Sequence, residues 1–145
     1  MNELYLSIKE SISDNVKKGN LPQVAYEWEY HQLEENNLKS NIYPLILFKV
    51  KNIIYNNPDD RYLTGEMVFT VKVVFEGLKN KVETHQNVND GFDLLKKIPV
   101  ILRTVESQET GPINVRKMEV LEINDRKHCF QFISSTPYYP PFNSN

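Results

Sequence analysis

The chain has 145 residues, of which 19 are acidic and 17 basic, and 40% are hydrophobic. Such a chain buries roughly two thirds of its unfolded surface without disulfides or metals, and its composition excludes collagen-like, fibrous and wholly disordered readings. The formal net charge of -2 lacks the basic surplus of a dedicated nucleic-acid binder, so no nucleic acid is expected as a specific ligand.

A single cysteine, Cys129, precludes an internal disulfide and fits a reducing compartment. Residues Met1 to Glu10 carry acid early and build no apolar run of the signal-peptide kind, so the N-terminus reads as mature sequence. The longest mostly apolar stretch, Ile42 to Val50, contains Pro44 and Lys49 and falls far short of the ~20 residues that cross a bilayer as a helix. No membrane partner is expected.

Leu4, Ile8, Ile12 and Val16, with Tyr5 beside them, recur at helical spacing and predict a helix from about Asn2 to Lys18. Lys17, Lys18 and Gly19 suit its C-terminus, and Pro22 cannot continue it. From Gln23 to Asn37 the pattern fits two readings. Val24, Tyr26, Trp28 and Tyr30 alternate like a strand, while Tyr26, Tyr30 and Leu33 also share a helical face. Asn36 to Asn41 reads as a loop.

From Tyr43 the period becomes that of strands. Ile46, Phe48, Val50 and, past Asn52, Ile54 share one face, and Lys49 and Lys51 on the other predict that it meets solvent. Asn56 to Asp60 is turn chemistry, after which Met67, Phe69, Val71, Val73 and Phe75 alternate, so the two runs predict a long-looped hairpin. Val88, Phe92, Leu95 and Ile98 predict a second helix, capped by Thr84 or Asn87 and ended or kinked by Pro99. Gly91 either weakens that helix or marks a close backbone approach. Ile113 to Ile123 and Lys127 to Ser134 predict a hairpin about Asn124-Asp125, and the changing parity of Val115, Met118 and Leu121 predicts a bulge.

These elements make an α+β fold: an antiparallel sheet of four or more strands, with an N-terminal helix and a second helix packed on one face. Residues 1–136 form a single α+β domain, and 137–145 form a Pro/aromatic C-terminal tail expected to enter neither a helix nor a central strand.

No enzymatic chemistry is legible. On a strand His128 and Cys129 point to opposite faces, so they cannot act as base and nucleophile, and Cys129 reads as a small buried hydrophobe. His31, His85 and His128 share no metal-ligand spacing, and no metal or other cofactor is expected. Glu27, Glu29, Glu34 and Glu35 read as a solvated face. The five glycines form no phosphate-binding pattern. Phe48, Lys49, Lys51 and Tyr55 interleave base and aromatic, which leaves a small ligand- or nucleic-acid-binding α+β module as an alternative to a structural role. Tyr138, Tyr139 and Phe142 either fold back on their own domain or dock on another subunit.

The element order resembles that of the tail terminator, or tail completion, proteins of long-tailed bacteriophages and prophages. Three stretches carry the resemblance: the amphipathic opening helix, Ile42-Tyr43-Pro44-Leu45-Ile46-Leu47-Phe48-Lys49-Val50, and Thr64-Gly65-Glu66-Met67-Val68-Phe69-Thr70-Val71. The helix from Val88 to Ile98 and the closing hairpin follow in the same order. The resemblance implies a non-enzymatic minor tail subunit of the virion, assembled in the bacterial cytoplasm. It would form a ring, commonly of six, that caps the tail tube and joins it to the head. Its partners would be itself, the tail tube protein and head–tail connector proteins. By position, Asp59, Asp60, Arg61 and Tyr62 in the loop from Asn56 to Leu63, with Tyr138, Tyr139 and Phe142, are the expected contacts to neighbours.

Overall fold

A computed structural model describes residues 2–38, 41–56, 64–76, 85–124 and 127–139. In chain order it contains α1 (Asn2–Lys17), β1 (Ala25–Trp28), β2 (Leu45–Tyr55), β3 (Gly65–Glu76), α2 (His85–Thr104), β4 (Asn114–Asn124) and β5 (Lys127–Tyr138). The strands form one sheet in the order β1-β2-β3-β5-β4. The fold is α+β, as expected, but the sheet is mixed rather than antiparallel throughout, because β1 runs parallel to β2. Among the described residues no helix is long and apolar enough to cross a membrane.

α1 buries Leu4, Ile8 and Ile12, and it ends where Gly19 takes a φ of 78°, a conformation that side chains disfavour. The ambiguous segment resolves as a short strand followed by turns. β1 satisfies its backbone against Leu45 to Phe48, while Tyr26 stacks on Tyr5 with ring centroids 5.0 Å apart and Trp28 meets Phe48 at 5.2 Å. α1 therefore sits on an aromatic platform at the β1–β2 side of the sheet.

The predicted hairpin is β2 and β3, but a register shift between Val50 and Asn52 changes the parity of β2. Ile53, opposite Met67, joins the core, whereas Ile54 is 54% exposed, so the expectation for Ile54 is corrected. A bulge inserts one residue and so exchanges the faces of everything beyond it. β4 has the predicted irregularity, with shifts at Val115/Lys117 and at Glu122/Asn124.

α2 runs through Pro99 to Thr104, six positions beyond the predicted end at Ile98. Proline removes one backbone hydrogen bond, but burial of Ile98, Ile101 and Leu102 on both sides of it holds the helix to the sheet. β5 likewise continues beyond the expected boundary. Pro137 pairs with Glu66 and Tyr138 with Gly65, so the first two residues assigned to the tail belong to a central strand. β4 pairs with β5 only from Ser135 back, which places Pro137 beyond their ladder.

Both helices pack on one face, over Ile46, Phe48, Phe69, Val71, Phe75 and Phe132 among others. The opposite face is not simply wet. Leu45, Leu47, Val74 and Cys129 form a second cluster, covered by Leu33 and Tyr43 of the β1–β2 connection. A parallel neighbour requires a crossover, and this one lies over the sheet.

Candidate functional site

The two segments expected to meet neighbours spring from the same end of the sheet. Tyr55 at the end of β2 lies opposite Gly65 at the start of β3, Gly65 lies opposite Tyr138 of β5, and Tyr138 bridges to Thr110. This row binds the exit of the 56–63 loop to the exit of the chain terminus. Its seam is closed by Asn56 N–H donating to the Thr64 carbonyl at 2.9 Å, Gly111 N–H to Pro137 at 2.9 Å and Tyr139 N–H to Glu109 at 2.7 Å. Thr136 adds a hydroxyl bond to the Gly111 carbonyl at 2.8 Å. Pro137 thus keeps its backbone acceptor in use although it has no donor.

At this end Tyr138 folds back, 8% exposed and packed into the core, while Tyr139 stands 50% exposed. Burial, with Glu109 and Tyr55 close by, holds the Tyr138 phenol above its ordinary value of 10.0, so it stays neutral. Ile54 and Tyr55 are 54% and 47% exposed beside them. Asp59, Asp60, Arg61, Tyr62 and Phe142 lie outside the described residues.

Two clefts flank the row. One, of about 450 Å³, is lined by Asn56, Glu66, Arg116, Thr136 and Pro137 among others. Within it Arg116 pairs with Glu66 and donates from Nε to the Ser135 hydroxyl at 2.9 Å. The other, of about 650 Å³, is lined by Arg103, Glu106, Thr110, Gly111 and Pro112 among others. Thr110, Arg116 and Glu66 are not among the site residues expected from sequence. Their charges and hydroxyl are common on strands, and only the register of β3, β5 and the 105–113 loop gathers them.

Elsewhere the side chains bear out the separation of His128 from Cys129. The imidazole lies 5.2 Å from the Phe75 ring on the helix face, and Cys129 is fully buried on the other. Burial is the largest influence on the thiol, pushing it up to about 11 against the opposing pull of Lys72, so it stays protonated near neutral pH. Among the described residues no three of His, Cys, Asp and Glu gather in metal-binding geometry.

The predicted acidic face is corrected at one position. Glu29 receives Lys72 Nζ at 2.8 Å, and both side chains are nearly buried beneath the β1–β2 connection. Glu34 remains on the surface, 2.8 Å from His31 Nδ1. The interleaved basic and aromatic residues separate, because Phe48 is wholly buried under α1 while Lys49, its neighbour on the strand, faces the other way.

No family model matches the chain, and no curated protein matches it significantly.

Proposed function

We propose that the chain is a structural subunit of the tail-terminator kind, which closes into a ring, caps a tail tube and presents a surface to the head. The observation that carries this reading is the convergence of Tyr55, Gly65, Tyr138 and Thr110, which gives two chain segments a common anchor at one end of the sheet. A closed head-to-tail ring needs two different complementary patches on each subunit. The loop end, with exposed Ile54, Tyr55 and Tyr139, supplies one.

The second is at the β1 side, where Trp28, Tyr30 and Ile42 are 38%, 69% and 75% exposed. Gln32, only 4% exposed, ties this patch together. Its amide donates to the Trp28 carbonyl at 2.8 Å, its side-chain oxygen accepts from Tyr30 N–H at 2.8 Å, and its carbonyl accepts from Asn41 at 2.8 Å. Tail tube and connector proteins are the partners this reading assigns to the finished ring.

Native mass spectrometry and light scattering across roughly 1 to 500 μM test it, because assembly follows mass action. A ring-sized species, such as six copies of the 17.0 kDa chain, rising with concentration or on addition of tail tubes is the expected result. No ring under either condition overturns it.

A further inference from the structure

β4 ends the sheet on one side, and among the described residues only β5 pairs with it. Its 11 residues, Asn114–Asn124, contain no proline, and between its two register shifts the stretch Lys117–Glu122 pairs regularly, so that stretch is a template for another strand. The charges of β4 are basic in the first half, at Arg116 and Lys117, and acidic in the second, at Glu119 and Glu122. Lys117 and Glu119 stand on the face away from the helices, with Nζ and Oε1 2.8 Å apart. Gln131 donates to the other carboxylate oxygen of Glu119 at 3.2 Å, fixing the group in place. The helix face of the same strand carries Met118 and Val120, 49% and 67% exposed. Val120 lies opposite Phe130, whose ring is 6.4 Å from that of Phe92, itself 46% exposed, so the apolar patch extends from the edge to α2.

About Met118 the strand is its own complement. A two-fold axis normal to an antiparallel pair keeps each face of the sheet on its own side and sets residue 117 opposite 119, and 118 opposite itself. We infer that β4 is a self-pairing edge: two copies of this chain join β4 to β4 antiparallel about Met118 and make one continuous sheet. Lys117 of each copy then faces Glu119 of the other while keeping its own, so the four charges alternate around a closed square. On the helix face Met118 covers Met118, and the two Val120 side chains flank the pair. Opposite charges and apolar groups directly across an antiparallel ladder each favour the pairing. This surface shares no residue with the two patches assigned to the ring, and the inference does not rest on that reading.

The test is self-crosslinking of the full chain. A cysteine on the axis meets its own copy, whereas one at 120 lies about 13 Å along the strand from its copy, four residues at ~3.3 Å each. Met118→Cys is therefore expected to give a covalent dimer under mild oxidation, and Val120→Cys, with the native Cys129 buried in both, to give little. Lys117→Glu and Glu119→Lys are each expected to weaken the dimer by about tenfold in Kd, and the double exchange to restore it, since only the complementarity of the pair matters. These positions are on the surface, and unchanged urea midpoints will show that the variants fold. Equal crosslinking at 118 and 120, no dimer at about 500 μM, or a double exchange no better than the single variants overturns the inference. A ring-sized mass without a Met118→Cys crosslink overturns it too and leaves the ring intact. A crosslinked dimer that never grows larger supports the edge and counts against the ring.

Discussion

Gly91 shows how one missing side chain positions a helix. A Cβ built there would lie 2.2 Å from the Phe75 ring, far inside contact distance, so glycine lets α2 settle on that ring. Phe75 in turn stacks on Phe130 at 5.8 Å and meets Phe92 at 5.6 Å, so displacing it disturbs a ring cluster. Gly91→Ala is expected to lower unfolding stability in urea by about 1–3 kcal/mol despite alanine's better helix propensity, because overpacking outweighs it. Cys129 makes a prediction about pH. Its thiol is raised from 9.0 to about 11 by burial, so between those values the unfolded chain loses the proton that the folded chain keeps. Stability is then present below pH 9 and falls as pH rises towards 11, a slope to be measured as urea midpoints between those limits. Tyr26, also raised by burial, acts in the same direction at higher pH, and Cys129→Ala should flatten the first part of the decline.

At the scale of elements, the β1–β2 connection converts what would be a wet face of the sheet into a second core. Its ion pair is the sensitive part. Glu29 and Lys72 side chains are 12% and 11% exposed, and one oxygen of Glu29 has no hydrogen-bond partner among the described residues. Removing one member of a pair in such surroundings leaves the other charge without compensation. Glu29→Gln is expected to cost about 2–4 kcal/mol in chemical denaturation, and adding Lys72→Met to recover most of it, because two neutral groups need no partner. If the double variant were as unstable as the single one, the connection would be held by packing of Leu33 and Tyr43 instead. α2 makes the complementary point. A proline inside it interrupts the hydrogen-bond ladder, yet Ile98, Ile101 and Leu102 bury their side chains around the break, so tertiary contact sustains the helix beyond its local preference.

At the scale of the molecule, most of the exposed large apolar residues among those described fall at the loop end, the β1 side or the β4 edge with Phe92, and Leu6 and Val100 stand apart on the helices. Single exposed hydrophobes need no explanation, but grouped ones mark contact surfaces. Tyr55 and Tyr139, half exposed, lie outside the core, so alanine at both should leave the urea midpoint within about 0.5 kcal/mol. In the proposed ring the same change removes two aromatic anchors and should weaken assembly by at least about tenfold in native mass spectra. Unchanged assembly would remove the loop end from the interface.

What the sequence determined by itself is local and periodic: α1 from its four-residue stripe, the β2–β3 and β4–β5 hairpins from alternation and turn residues, the bulged β4 from its broken parity, and the opposite facing of His128 and Cys129 from the strand's two-residue period. These follow from backbone geometry, which repeats every 3.6 residues in a helix and every two in a strand. Tertiary structure decided the rest. It chose strand over helix at Ala25–Trp28 because β2 offered a parallel partner, and it carried α2 through Pro99 because the sheet rewarded burial beyond it. It held Pro137 in β5, buried Glu29 against Lys72, and aligned Tyr55, Gly65 and Tyr138 of three strands with Thr110 of the 105–113 loop. Each of these depends on a partner distant in the chain, and no local period encodes such a partner.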